Sequence, residues 1–106
     1  MNKQAWADKP TSEATFYILL ALIGSLHGYS VMKKVDELSQ GAVAIGPKTL
    51  YGAIARLTKA NLIFKTAEVE LRKIYGLTQT GKNYLQNLIQ RLEIMSENGQ
   101  RVEAQL

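Results

Sequence analysis

Eight consecutive apolar residues, Phe16 to Ile23, constrain this chain more than any other feature of it. The run is far shorter than the roughly twenty residues needed to span a bilayer, so no transmembrane helix and no membrane partner are expected. Placed on a helix, Phe16, Leu19, Leu20 and Ile23 fill one stripe, while Tyr17, Ile18 and Leu22 cover much of the remaining surface. A helix that is apolar nearly all round has to be buried nearly all round. A chain of 106 residues, 46% of them hydrophobic, can build one core but not two. The second face of this helix is therefore expected to meet another copy of the chain.

Composition removes whole classes of chemistry. Without cysteine there is no disulfide scaffold, thiolate zinc site or cysteine nucleophile, and one histidine, His27, excludes a multi-histidine metal centre. The glycine patterns of phosphate-binding loops and of the serine nucleophile turn are absent. No catalytic residue, metal or cofactor is expected. Residues 1–9 are polar and without period, and 1–10 read as a flexible segment. Lys3, Asp8 and Lys9 stand where a signal peptide would need an apolar stretch, so the expected location is cytoplasmic.

The net charge is +4, and its placement says more than its size. Between Gly46 and Lys82 seven basic residues face only Glu68 and Glu70, a local net charge of +5; the remainder of the chain carries −1. A basic segment inside an otherwise balanced chain points to a polyanion as partner.

Along the chain, Pro10-Thr11-Ser12-Glu13 supplies capping residues and an early acid, and predicts a first helix from Thr11 or Ser12 to Ser25. Gly24 and Gly28 bracket a short turn. A second helix follows through Ser30 to Leu38, burying Met32, Val35 and either Leu38 or Ser39, and stops at Gln40-Gly41. After the connector 42–45, Gly46-Pro47 opens a third helix that runs to Ala60. Leu50, Ala53, Ile54 and Leu57 share its inner face; Lys48, Thr49, Tyr51, Gly52, Ala55, Arg56 and Lys59 lie outside. Leu62–Thr66 and Leu71–Leu77 read as the strands of a hairpin, joined by a charged Ala67–Glu70 linker. From Thr78 a last helix places Leu85, Leu88 or Ile89, Leu92 and Met95 at the spacing of a coiled-coil seam. It is expected to fade at Asn98-Gly99, with the tail continuing as helix or fraying.

Three helices, a β-hairpin wing and a long C-terminal helix make an α+β, mainly helical, winged helix-turn-helix. Residues 11–77 would form the DNA-binding domain and 78–106 a dimerisation helix and tail. The third helix fits a major groove about 12 Å wide. Lys48, Thr49, Tyr51 and Ala55 would face base edges, with Gly52 and Ala55 leaving room for close approach. Lys48, Arg56 and Lys59, with Lys65, Arg72 and Lys73 on the wing, would meet phosphates.

Four stretches carry a family resemblance: Phe16–Leu22; His27-Gly28-Tyr29; Gly46-Pro47-Lys48-Thr49-Leu50-Tyr51, with Leu57 and Leu62-Ile63 downstream; and Arg72–Gly81. In this order and spacing the chain resembles PadR-like transcriptional regulators, in the small subfamily with one C-terminal helix, over about residues 11–97. The resemblance implies a homodimeric repressor on a pseudopalindromic double-stranded DNA operator, with the last helix of each chain crossing the first helix of the other. Phe16, Tyr17, Leu20, Leu85, Leu88, Ile89, Leu92 and Met95 would form that interface. It implies a Tyr29 hydroxyl reaching a phosphate, with packing against the third helix as the alternative. It also implies, in some branches, release by a small-molecule effector. One branch uses a tryptophan on the last helix for this, but the matching position here is Leu92 and the only tryptophan is Trp6. Tyr17, Ile18, Leu22, Leu88 and Leu92 could line an apolar effector pocket or pack it shut. Gly76 replaces a bulkier residue usual in the family, which would loosen the base of the wing.

Two rival readings remain. One is a winged protein-interaction module whose third helix meets a partner protein. The other is a small hydrolase using His27, Asp36 and a serine, against which His27 more simply caps the second helix.

Overall fold

The computed structural model describes residues 12–106; the N-terminal segment expected to be flexible lies outside the described residues. Helix α1 (Glu13–Ala21) starts where the capping residues place it. Ser12 Oγ accepts the Thr15 N–H at 3.1 Å, satisfying a donor the first turn leaves free. The helix ends earlier than Ser25. It tightens into a 3-10 turn over Leu22–Gly24, and Ser25 leaves at φ 57°.

The face α1 buries also differs from the expected stripe. Thr15, Ile18, Leu19 and Leu22 point into the core, with Phe16, Tyr17 and Leu20 half-buried and Ile23 exposed. An i, i+3, i+4, i+7 pattern exists on either side of an all-apolar helix, so periodicity cannot choose between them; packing does.

The expected turn at Ser25-Leu26-His27 is in part a strand. Leu26–His27 (β1) pairs antiparallel with the later strand β3 (Arg72–Leu77), Leu26 opposite Tyr75 and His27 opposite Ile74. Two residues are too few to leave a strand pattern in the sequence. Helix α2 (Gly28–Leu38) follows directly, starting before Ser30. Its core residues are Val31 and Val35, with Met32 half-buried and Leu38 exposed. Ser39 is buried instead. Its Oγ accepts the Val43 N–H at 3.0 Å, which ties the connector to the helix end. The stop forms as expected, except that Gln40 is the first left-handed residue (φ 54°): its N–H donates to Glu37 O and that of Gly41 to Asp36 O.

Helix α3 (Pro47–Lys59) has Pro47 in its first turn and buries Leu50, Ala53, Ile54 and Leu57, as its sequence predicts. The hairpin is longer than expected. Strand β2 (Ile63–Val69) absorbs Ala67–Val69, and a two-residue turn, Glu70-Leu71, leads to β3. The sheet order is β1-β3-β2, with a bulge between Lys65 and Ala67. Beyond Ile63 every residue of β2 is exposed, so no alternation of burial marked it as a strand.

Helix α4 (Gln79–Glu103) continues through Asn98-Gly99, where fading was expected. One interior glycine costs a helix only about 1 kcal/mol, which does not end it. Its root is locked in place. Thr78 Oγ1 accepts the Gly81 N–H at 2.9 Å and donates to Asn61 O at 2.7 Å, while the Thr78 N–H reaches Leu62 O at 3.0 Å. A Cβ on Gly81 would collide with the Leu62 carbonyl, so only glycine lets α4 sit this close. Ile18, Leu19, Leu22, Val31, Val35, Leu50, Leu57 and Ile63 form the fully buried centre where α1, α2, α3 and β2 meet.

Candidate nucleic-acid interface

Burying Leu50, Ala53, Ile54 and Leu57 turns the other side of α3 outward, and no acid occurs anywhere in the helix. Lys48, Thr49, Tyr51, Ala55, Arg56 and Lys59 are exposed, as the sequence predicts, while Gly52, expected outside with them, is half-buried. Arg56 and Lys59 occupy the last turn, where the helix dipole favours cations. Arg56 Nη1 would lie 3.6 Å from a Cβ on Gly52, so the guanidinium lies back along the helix over the glycine.

Tyr51 does more than point outward. A Cβ on Gly28 would stand 2.5 Å from its hydroxyl oxygen and 2.9 Å from Cζ, so the ring packs directly on the first residue of α2. With about half its surface still open (52%), it lies against α2 and faces solvent at once. Tyr29, next in the chain, is 72% exposed, so the packing alternative for its side chain is not what forms.

These residues wall a cleft of about 330 Å³ lined by His27, Gly28, Tyr29, Tyr51, Leu71, Arg72, Lys73 and Tyr75. The fold thus brings the starts of α2 and α3 together with the wing. His27 Nε2 lies 3.1 Å from Ser30 Oγ, an interaction local to the start of α2. Asp36 is nine residues further on, more than two helical turns away, so the residues of the hydrolase reading are not assembled.

The wing's two basic positions differ. Lys65 Nζ pairs with Glu68 Oε1 at 3.3 Å, the one ion pair recorded among the described residues. Register places Lys65, Glu68, Lys73 and Tyr75 on one face of the hairpin. Arg72 and Lys73 line the cleft; Lys65 does not. Gly76 does not loosen the wing base. It is buried, and a Cβ there would stand 2.7 Å from Ser25 Oγ and 3.1 Å from Thr66 Cγ2, so the small residue closes the wing onto the segment after α1.

At the other end, Leu85 and Leu88 are buried within the chain, while Ile89, Leu92, Ile94, Met95 and Val102 remain exposed on α4. Phe16, Tyr17 and Leu20 are half-buried, the two rings meeting edge to face at 5.5 Å. A groove of about 640 Å³ runs between Ile23 and the α4 residues Lys82, Leu85, Gln86, Ile89, Gln90 and Glu93. Ile18 and Leu22 have no exposed surface and Leu88 is buried, so within one chain these three residues leave no effector pocket. His27, Gly28, Leu71 and Tyr75 also line the cleft, although the sequence did not single them out for it, because neither the pairing of β1 with β3 nor the length of the hairpin leaves a local signal. No helix among the described residues is long and apolar enough to cross a membrane.

Helix order, wing and basic outer helix define a winged helix-turn-helix of the regulator class. The model of the transcriptional regulator PadR-like family matches residues 18–87, and the chain belongs to that family. Among solved structures it is similar to a PadR family transcription regulator from Clostridium difficile (25% identity, TM-score 0.75, covering 85% of this chain and 97% of that one). It also resembles Bacillus subtilis PadR, a structure in complex with operator DNA (24% identity, TM-score 0.65, 76% and 48%). A 37.1 kDa protein in transposon TN4556 of Streptomyces fradiae is 34% identical over 77 residues, which are 72% of this chain but only 22% of that protein. The chain therefore spans about a fifth of the length of that curated relative.

Proposed function

We propose that this chain is a cytoplasmic, homodimeric, sequence-specific DNA-binding repressor and performs no catalysis. The observation that carries the reading is a shared lining: Tyr51, from the acid-free outer face of α3, walls the same cleft as Tyr29, Arg72 and Lys73. Such a surface fits a duplex, with α3 in the major groove and the wing along the adjacent backbone. Lys48, Thr49, Tyr51 and Ala55 read base edges. Arg56, Lys59, Arg72 and Lys73 contact phosphates, and Lys65 contributes less because Glu68 holds its ammonium. Residues 11–77 form the DNA-binding unit. Residues from 78 onward pair with a second copy through Ile89, Leu92 and Met95 and the half-covered Phe16, Tyr17 and Leu20, setting two half-sites roughly 34 Å apart on a pseudopalindrome.

Selection of bound fragments from genomic DNA at two salt concentrations tests this. Recovery of one inverted repeat whose preference survives the higher salt is the expected result. Binding that is indifferent to sequence and vanishes with salt would contradict it and turn attention to a protein partner for α3.

A further inference from the structure

The tip of the wing is built against its own backbone preference. Glu70 and Leu71 form the two-residue turn with φ of 50° and 66°, and neither is glycine. A turn left-handed at both positions is ordinarily filled by Asn-Gly or Asp-Gly, because an L side chain crowds the following carbonyl there. Leucine has no polar group to compensate. Nor does burial compensate it, since Leu71 is 92% exposed and takes no part in the core. The same residue nevertheless borders the cleft with Tyr29, Tyr51, Arg72 and Lys73. An exposed apolar residue held in a strained conformation at the mouth of a cationic cleft is the kind of outlier that functional sites retain.

We propose that Leu71 is a DNA-contacting residue, the point of the wing that presses its isobutyl group onto the apolar sugar edges walling the minor groove. Arg72 and Lys73, directly after it in the chain, hold the neighbouring phosphates. The inference rests on the cleft being the DNA interface. The contact is apolar, so it releases no counterions and tolerates sequence changes beneath it.

The test compares Leu71→Gly, Leu71→Asn and Leu71→Met with the unmodified chain and with Lys73→Ala, reading Tm and affinity for a selected duplex across salt. Glycine and asparagine both accept the left-handed turn, so Tm is expected to rise while affinity falls about tenfold from lost apolar burial. The salt slope stays unchanged, and Leu71→Met, still apolar, retains affinity. Opposite signs in stability and binding are not produced by a residue that only shapes the turn. Unchanged affinity in the glycine and asparagine variants, with Lys73→Ala still weakened, overturns the inference and leaves the DNA reading intact. Unchanged affinity in Lys73→Ala as well overturns both. Tm and affinity falling together would mark Leu71 as a structural turn residue and also overturn it.

Discussion

Helices α3 and α4 are both amphipathic and both bury one face in the same small domain, yet they leave opposite chemistry in water. The outer face of α3 is Lys48, Thr49, Tyr51, Arg56 and Lys59, with glycine and alanine between them. The outer face of α4 past its buried root includes Ile89, Leu92, Ile94, Met95 and Val102. Charge among small residues suits a rigid polyanion approached closely. Exposed aliphatic surface repeated along a helix of 25 residues, about 37 Å long, suits another helix. The buried half of each helix thus records the fold, and the half left outside records the partner.

The strongest break in this comparison is at the root of α4. Gly81→Ala drives a Cβ into the Leu62 carbonyl. It is expected to destabilise the domain by about 3 kcal/mol or more, as overpacking against backbone does, read by denaturant unfolding. Leu92→Glu combined with Met95→Glu should instead leave the fold of each chain intact and weaken self-association by at least about a hundredfold, measured by sedimentation. Gly28→Ala displaces the Tyr51 ring from the start of α2. About tenfold lower affinity for specific DNA is expected, and in a Tyr51→Ala background the same change should cost little further, a non-additivity that binding titrations can read.

A finer division lies within the cationic surface. Lys73→Ala should weaken specific and random DNA alike and reduce the salt slope by about one, whereas Thr49→Ala should alter sequence preference with the slope unchanged. Equal losses on both kinds of DNA for both variants would remove that distinction. Smallest of all, Glu68→Gln frees Lys65 from its exposed pair. A modest gain in binding to random DNA is expected, with little change in stability because surface pairs contribute little.

What the sequence made legible follows the same contrast. Helix α3 could be read in full, because Pro47 marks its start and Leu50, Ala53, Ile54 and Leu57 repeat at helical spacing against a polar background. Helix α1 could not be oriented, because apolar residues on every side give packing alone the choice of Ile18, Leu19 and Leu22. The wing was foreshortened, since Ala67–Val69 is exposed throughout and Glu68 resembles a linker charge. The cleft was partly legible. Arg72, Lys73 and Tyr29 were visible as residue types, but the seating of Tyr51 on Gly28 is a contact between two helices and leaves no local signal. Leu71 looked like the first residue of a strand; only the register of β2 against β3 puts it at the turn.

On the proposed function, α3 with the wing faces DNA while the distal half of α4 faces a second copy. Backbone hydrogen exchange, recorded at high and low protein concentration with and without a selected duplex, tests both halves at once. The duplex is expected to slow exchange in Pro47–Lys59 and around Glu70–Lys73, and dilution to speed exchange in residues 89–103 without DNA being involved. A duplex that slows exchange in 89–103 while leaving Pro47–Lys59 unchanged would contradict it.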